Sequence, residues 1–441
     1  MASRTVLGAL GLALLAACGA ALVPVLDYRL AEFAWLSLAH VAVYALAVAW
    51  ILRHGAGRGV LMVTLVVAVL ARAIALPAPP ALSNDALRYI WDGRVQAVGI
   101  NPYRYIPADA HLAALRDETI YPHINRKEYA PTIYPPAAQL VFLAATRFGE
   151  SFTVMKLAML ALEAVAIVAI MAWLAALGLP RARVLIYAWH PLPIWEFAGT
   201  GHVDAAAIAF LCLALIAAQS RRPWLAGIAL AAGTLVKVYP IVLAPALWRR
   251  WDWRMPAAFL ATALLLCLPY FGAGAQIFGF AAGYAHEEGL AEGSGFYLVR
   301  LARALGLPAP SGIVYAAAGA LAMTALAAAI ALRTHPARPR PMDAIALASA
   351  FLLITSPHYA WYFVWVLPIL CGAFYLPLAY ISVACVLFYL PADTFWGDRL
   401  VVNSLIYGGF VALALVDLTL KRRTRRQAAH EEDDHARHPA G

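Results

Sequence analysis

The sequence predicts an all-α integral membrane protein: a polytopic helical bundle of about 10–13 transmembrane helices, some broken or re-entrant, with a large first exterior loop. Three observations carry that prediction. Of the 441 residues, 63% are hydrophobic and only 13% charged, where soluble domains are typically about 25% charged. Apolar runs of about 18 residues or more recur along the whole chain, long enough to cross a bilayer as helices. Basic residues bunch in short hydrophilic connections: Arg53 to Arg58, Arg181 with Arg183, Arg221 with Arg222, Arg249 to Arg254, Arg333 to Arg340, and "KRRTRR" at 421–426. Short Lys/Arg-rich loops stay cytoplasmic. The net charge of +9 therefore reads as orientation and headgroup contact and not as a nucleic-acid surface. Cys18, Cys212, Cys267, Cys371 and Cys385 all fall inside apolar segments without paired spacing, which argues against disulfides, zinc and haem.

In order along the chain, Leu7–Leu26, Phe33–Leu52 and Val60–Leu76 are the first three spans. "LAAC" at 15–18 resembles a lipoprotein cleavage box, but the apolar run continues to Leu26, so the first helix is expected to stay uncleaved. Residues 79–135 form the exterior loop, dense in Pro and Tyr and so expected to be packed structure. Pro136–Phe148 reads as an amphipathic helix lying at the surface. Phe152–Leu177, Val184–Phe197 and Val203–Ala218 are further spans. The apolar segment 224–248 has basic clusters at both ends and is broken by "KVYP" at 237–240. Each half, about a dozen residues, is too short to cross about 30 Å. The segment is therefore expected to be a re-entrant hairpin with both ends on the cytoplasmic side. Pro256–Phe271, Gly312–Leu332, Ala344–Ile354, Tyr362–Ala373, Leu376–Leu390 and Leu400–Leu418 complete the apolar segments, with exterior loops at 272–300 and 391–399. Residues 1–420 form one polytopic domain with no internal repeat, and 421–441 a polar, disordered cytoplasmic tail.

Polar residues gather where these spans are expected to meet one membrane face. In "NDALRYIWD", Asp85, Arg88, Tyr89 and Asp92 share one face of a helix. They form either a salt-bridge ladder worth tenths of a kcal/mol, or a base at a site mouth with arginines (Arg88, Arg94) holding an anion. Tyr103 and Tyr134 belong to Pro-punctuated stretches, "GINPYRYIP" and "TIYPPAAQ", and are placed to stack on sugars or to belt the bilayer interface. His202 and Asp204 in "GTGHVDAAA" begin a helix, as a cap or as a polar pair. No further ligand completes a zinc set at motif spacing. Lys237 lies in the middle of the broken segment, where it either snorkels or meets a buried anion such as a lipid phosphate. "SPHYAWYFVW" sets His358, Trp361 and Tyr362 at a span end.

Together these residues resemble the GT-C superfamily of polytopic glycosyltransferases, and most nearly the polyprenol-phosphate-mannose-dependent mannosyltransferases and their bacterial relatives. The likeness runs over roughly residues 60–400 in a fixed order. Asp85 in "SND" comes first, followed by a "YxWDGRxxxxGxNPY"-like run from Tyr89 to Tyr103 and "TIYPP" from Thr132 to Pro136. The order continues with "HxD" (His202, Asp204), "KxxP" (Lys237, Pro240) and an "SPxxxxWY"-like end (Ser356, Pro357, Trp361, Tyr362). One departure stands out: many relatives carry adjacent acids in the first loop, whereas Asn84 precedes Asp85 here, so a second carboxylate has to come from Asp92 or be absent.

The resemblance implies inverting transfer of a hexose, by family mannose, from a polyprenyl-phosphate sugar to an envelope lipid or glycan at the exterior face of a bacterial inner membrane. Asp85 would be general base, with Asp92 the second catalytic candidate and 79–135 the catalytic loop. Arg88, Arg94 and Lys237 would bind donor phosphate. Tyr89, Tyr103, Tyr134, His202, Asp204, His358, Trp361 and Tyr362 would contact substrate. No cofactor is expected, and ligand spacing supports no metal. Membrane lipids are the remaining expected partners, and nucleic acid is not one. The competing expectation is a secondary transporter or flippase of a lipid-linked or anionic substrate, because broken helices mark those folds too.

Overall fold

The computed structural model describes residues 2–54, 57–333, 339–393 and 398–421. The expected disordered tail, apart from Lys421, lies outside the described residues, as does part of the 391–399 loop. The described chain is helical and contains no strand. Seven of its helices are long and apolar enough to span a bilayer, and the protein is a multi-pass integral membrane protein.

Helices α1 (Ala2–Leu26), α2 (Leu30–His54) and α3 (Arg58–Ala75) run up, down and up, with α1 packed against both others. Gly59 lies against the Arg4 side chain, so α1 and α3 start at the same end of the bundle. The loop after α3 holds α4 (Asp85–Ala97), then turns at Ala110–Leu115 and Tyr121–His123. It is followed by α5 (Pro136–Thr146) and the long α6 (Phe152–Ala176), whose Ser151 caps it by accepting from the Val154 amide. An ion pair locks α3 to α6: Arg72 Nη2 and Nε reach the two Glu163 oxygens at 2.5 and 2.8 Å, and Nη1 donates to the Ala188 carbonyl at 2.8 Å. Both side chains are buried.

The next crossing is not a continuous helix. It runs through a 3₁₀ turn (Arg181–Val184), α7 (Leu185–Ala188), α8 (Pro191–Pro193) and a π turn (Ile194–Gly199). Proline lacks the amide hydrogen a regular helix needs, and Pro191 and Pro193 fall in this stretch, which is buried throughout from Val184. Helix α9 (Asp204–Gln219) returns, followed by α10 (Pro223–Val236) and the short α11 (Ala244–Leu247). Helix α10 ends at Lys237, whose backbone is extended (φ −145°, ψ 139°), and Pro240 begins the way back. Arg221, Arg222, Arg249 and Arg254 then line one shared pocket with Arg333 and Arg340. Both ends of segment 224–248 therefore lie at one end of the molecule, and the segment is a hairpin. Gly227 allows α10 to sit directly on α12 (Arg254–Cys267), since a Cβ there would lie 2.3 Å from the Met255 carbonyl oxygen.

Past α12 the chain forms 3₁₀ turns (Leu268–Phe278), α13 (Ala281–Glu287) and α14 (Tyr297–Ala304). Then come α15 (Gly312–Ala331), α16 (Pro341–Thr355), α17 (Leu367–Gly372), α18 (Leu376–Ala384) and α19 (Arg399–Asn403), the last continuing helically to Lys421. The 79–135 and 272–300 loops are stitched into one cap. Asn101 donates to the Tyr270 carbonyl (3.3 Å), Arg104 to the Gly272 carbonyl (3.0 Å), and Arg126 pairs with Glu287 (2.7 Å).

Two expectations need correction. Helix α5 does not lie along a free surface: it packs on α4, α6, α10 and α12, burying Gln139 and Phe142 among others. Its Gln139 side chain bonds Asp92 and Thr132, which draws the helix inward. The Val184–Phe197 segment, expected as one helix, is the broken crossing described above.

Candidate active site

The cap closes over a cavity of about 580 Å³ bounded by the start of α4, the 125–135 segment, the hairpin tip, α13 and the 355–365 stretch. Asp85 is the first residue of α4 and the only carboxylate on the cavity wall among the described residues. Its Oδ1 accepts from Asn125 Nδ2 at 2.7 Å, and its Oδ2 lies 3.8 Å from His202 Nε2. No arginine or lysine pairs with it among the described ion pairs.

Behind Asp85 a buried polar chain runs into the protein. His202 Nε2 is 3.1 Å from Ser83 Oγ, and its Nδ1 is 2.7 Å from Glu196 Oε2. Glu196 belongs to the π turn and also bonds the Tyr389 hydroxyl. The Trp361 ring packs on the imidazole with centroids 4.5 Å apart. The imidazole is thereby fixed between two carboxylates, a geometry in which one nitrogen's partner determines what the other can do.

Lys237 points into the cavity from the hairpin tip. It forms an ion pair with Asp204 Oδ2 at 3.2 Å and lies over the Tyr362 ring at 5.2 Å. Asp204 also accepts from Tyr239 at 3.2 Å. It opens α9 without a side-chain capping bond. Arg88 lines the cavity too, but its Nε donates to Asp92 Oδ1 (2.8 Å) and its Nη1 to the Ala130 carbonyl (3.2 Å).

Of the residues singled out from sequence, Asp85, Arg88, Tyr134, Lys237, Trp361 and Tyr362 line the cavity, and His202 and Asp204 stand directly behind it. Asp92 does not reach it. That carboxylate is 1% exposed and enclosed by Arg88, Thr132 and Gln139. Arg94 lies towards the other end of α4, bound to Asp117 (2.8 Å) and Glu150 (2.7 Å). Tyr89 is buried in a stack on Phe142, and Tyr103 donates to the Tyr134 carbonyl at 2.7 Å. His358 lines a second chamber, paired with Glu288 at 2.5 Å. Burial alone would raise the Glu288 carboxyl, but the His358 contact, the Tyr284 hydrogen bond and the Arg399 charge together outweigh it and hold that carboxyl below the usual range.

The sequence reading passed over Asn125, Arg126, Glu196 and Glu288. Only Glu196 carried a signal, an acid inside an otherwise apolar run. Among the described residues no group of three His, Cys, Asp or Glu gathers closely enough to hold a metal ion.

A helical bundle in the membrane, capped by loops over a cavity with one free carboxylate, cations and aromatic walls, is the architecture of a GT-C-like polytopic glycosyltransferase. The sequence pattern of glycosyltransferase family 87 matches residues 132–357, just over half of the chain, and the protein belongs to that family. No curated protein matches it. Asp85 and Arg88 precede the matched segment, which contains His202, Asp204 and Lys237.

Proposed function

We propose that the protein transfers a hexose, with mannose the expected sugar, from a polyprenyl-phosphate donor to an envelope lipid or glycan acceptor, with inversion. The observation that carries this is Asp85, the one carboxylate on the wall of a largely apolar cavity among the described residues, paired with no arginine or lysine and 3.8 Å from His202. In the step, an acceptor hydroxyl attacks the anomeric carbon while the bond from that carbon to the phosphate oxygen breaks. The phosphate leaves with the bonding pair, and Asp85 takes the hydroxyl proton. Asn125 orients the carboxylate. Lys237 has further N–H donors to offer a leaving phosphate beyond its Asp204 contact. The aromatic rings of Tyr134, Trp361 and Tyr362 suit an isoprenoid or a sugar face.

The basic end of the bundle is assigned to the cytoplasm of a bacterial inner membrane and the cavity to the exterior. The broken segments at Ile194–Gly199 and Lys237 also suit a transporter or flippase, and turnover separates the two. Purified protein given a radiolabelled polyprenyl-phosphate sugar and envelope lipids should yield labelled acceptor. Asp85→Asn should lower the rate by about 10²- to 10⁴-fold with donor binding retained. A variant within a few-fold of wild type removes Asp85 as the base.

A further inference from the structure

Every cation on the wall of the Asp85 cavity already has a carboxylate partner. Arg88 has Asp92, Lys237 has Asp204 and Arg126 has Glu287. Arg94, beyond the cavity, has Asp117 and Glu150. The chamber next door differs. It encloses about 340 Å³, shares Arg126 and Tyr359 with the main cavity, and is otherwise lined by Glu287, Glu288, Ser294, Gly295, Arg300, His358, Arg399 and Asn403. This wall is mainly polar and is a poor place for an isoprenoid.

Its two acids are already matched. Glu287 takes Arg126 on one oxygen (2.7 Å) and the Tyr129 hydroxyl on the other (2.9 Å). Glu288 takes His358 at 2.5 Å and the Tyr359 hydroxyl at 3.4 Å. Arg300 and Arg399 make no side-chain hydrogen bond or ion pair among the described contacts, although the Arg399 charge acts on Glu288, and three arginines against two carboxylates leave the chamber net positive. Asn403, one helical turn beyond Arg399, is only 4% exposed, and its Oδ1 has no hydrogen-bond partner. A buried amide oxygen without a partner is costly, and rotating the amide presents its NH₂ group instead.

We propose that this chamber is a phosphate subsite, where the guanidiniums of Arg300 and Arg399 and the amide of Asn403 hold a phosphate group of a substrate whose reacting end lies beside Asp85. The assignment rests on the glycosyltransferase reading. Guanidinium forks match phosphate oxygens two at a time, and Arg126 and Tyr359 border both spaces, which sets the chamber directly beside the cavity. The phosphate comes from one of two sources: the donor's own ester, in which case these arginines and not Lys237 receive the leaving phosphate, or a phosphate carried by the acceptor.

The test measures binding without turnover. Full-length protein in detergent is titrated with polyprenyl phosphate, with the matching polyprenol, and with inorganic phosphate, following thermal stabilisation. For wild type, both phosphates should stabilise and polyprenol should do so less. Arg300→Gln and Arg399→Gln should each weaken inorganic phosphate by about 10- to 100-fold, with Arg→Lys recovering part of the loss and unliganded melting unchanged. If polyprenyl phosphate weakens in step, the site holds donor phosphate. If polyprenyl phosphate binds as before while inorganic phosphate is lost, the site holds the acceptor's. Unaltered affinity for both ligands in both variants overturns the proposal. Phosphate binding that depends on Arg300 and Arg399, alongside full transfer by Asp85→Asn, would unseat the base and leave the subsite standing.

Discussion

Asp85 and Asp92 sit two helical turns apart on α4, and their spacing gives them the same face. Their neighbours separate them. Asp85 opens the helix at the cavity, whereas Asp92 accepts from Arg88, Thr132 and Gln139 in a dry interior. A carboxylate enclosed in this way holds structure. Asp92→Ala leaves the Arg88 guanidinium buried beside empty space, and breaking such a pair costs about 3–5 kcal/mol. The variant should melt well below wild type, while Asp85→Asn should melt with it; equal melting of Asp92→Ala and wild type would mean that Arg88 finds another partner. The residue types at the site were legible in the chain: an acid after a span, a lysine in a broken helix, His beside Asp. Their pairings were not. Lys237 with Asp204, Asp85 with Asn125 and His358 with Glu288 join segments far apart in sequence, and no local spacing encodes such contacts.

At the level of elements, the hairpin was readable because its breaker and its flanking arginines all appear within one short stretch, 221–254. The 181–199 crossing was not, since its apolar content matches a continuous span and only the prolines hint at the break. Helix α5 was misplaced for a related reason: an apolar stripe shows that something covers it and not what does. The 79–135 loop is itself a pinned element. Arg94 ties α4 to Asp117 and Glu150, and Asp117 also accepts from the Ile120 and Tyr121 amides at 2.9 Å. Partial burial pushes the Asp117 carboxyl up, but the Arg94 and amide hydrogen bonds together outweigh it and hold it below the ordinary range. A depressed carboxylate stabilises the fold above its unfolded value of about 3.9 and loses that contribution as pH falls towards the folded one. Hydrogen exchange across residues 110–123 should therefore accelerate, beyond its intrinsic pH dependence, as pH drops below about 4. Arg94→Gln should show faster exchange already at neutral pH and a smaller acid response.

Across the whole molecule, the arginines of three separate connections collect at one end and the cavity, cap and phosphate chamber at the other. The sequence foresaw this sidedness because charge placement is global information written locally. Cysteines placed at Arg221 and at Arg249 should both resist an impermeant label applied from outside. Labelling at either position would mean that 224–248 crosses. The Arg72–Glu163 pair carries a consequence for how the chain is made. Arg72 lies in the last turn of α3, where a long side chain can reach towards headgroups before any partner arrives. Glu163 lies near the middle of α6, where a bare carboxylate would cost about 2.5–3.5 kcal/mol on the insertion scale. Synthesis delivers α3 first, so the cation is already waiting when its acid enters the bilayer. Arg72→Leu should then leave α3 properly inserted and disturb α6 instead, exposing a reporter cysteine at Gly178 on the wrong side in a fraction of molecules. Glu163→Gln in the same chain should restore it.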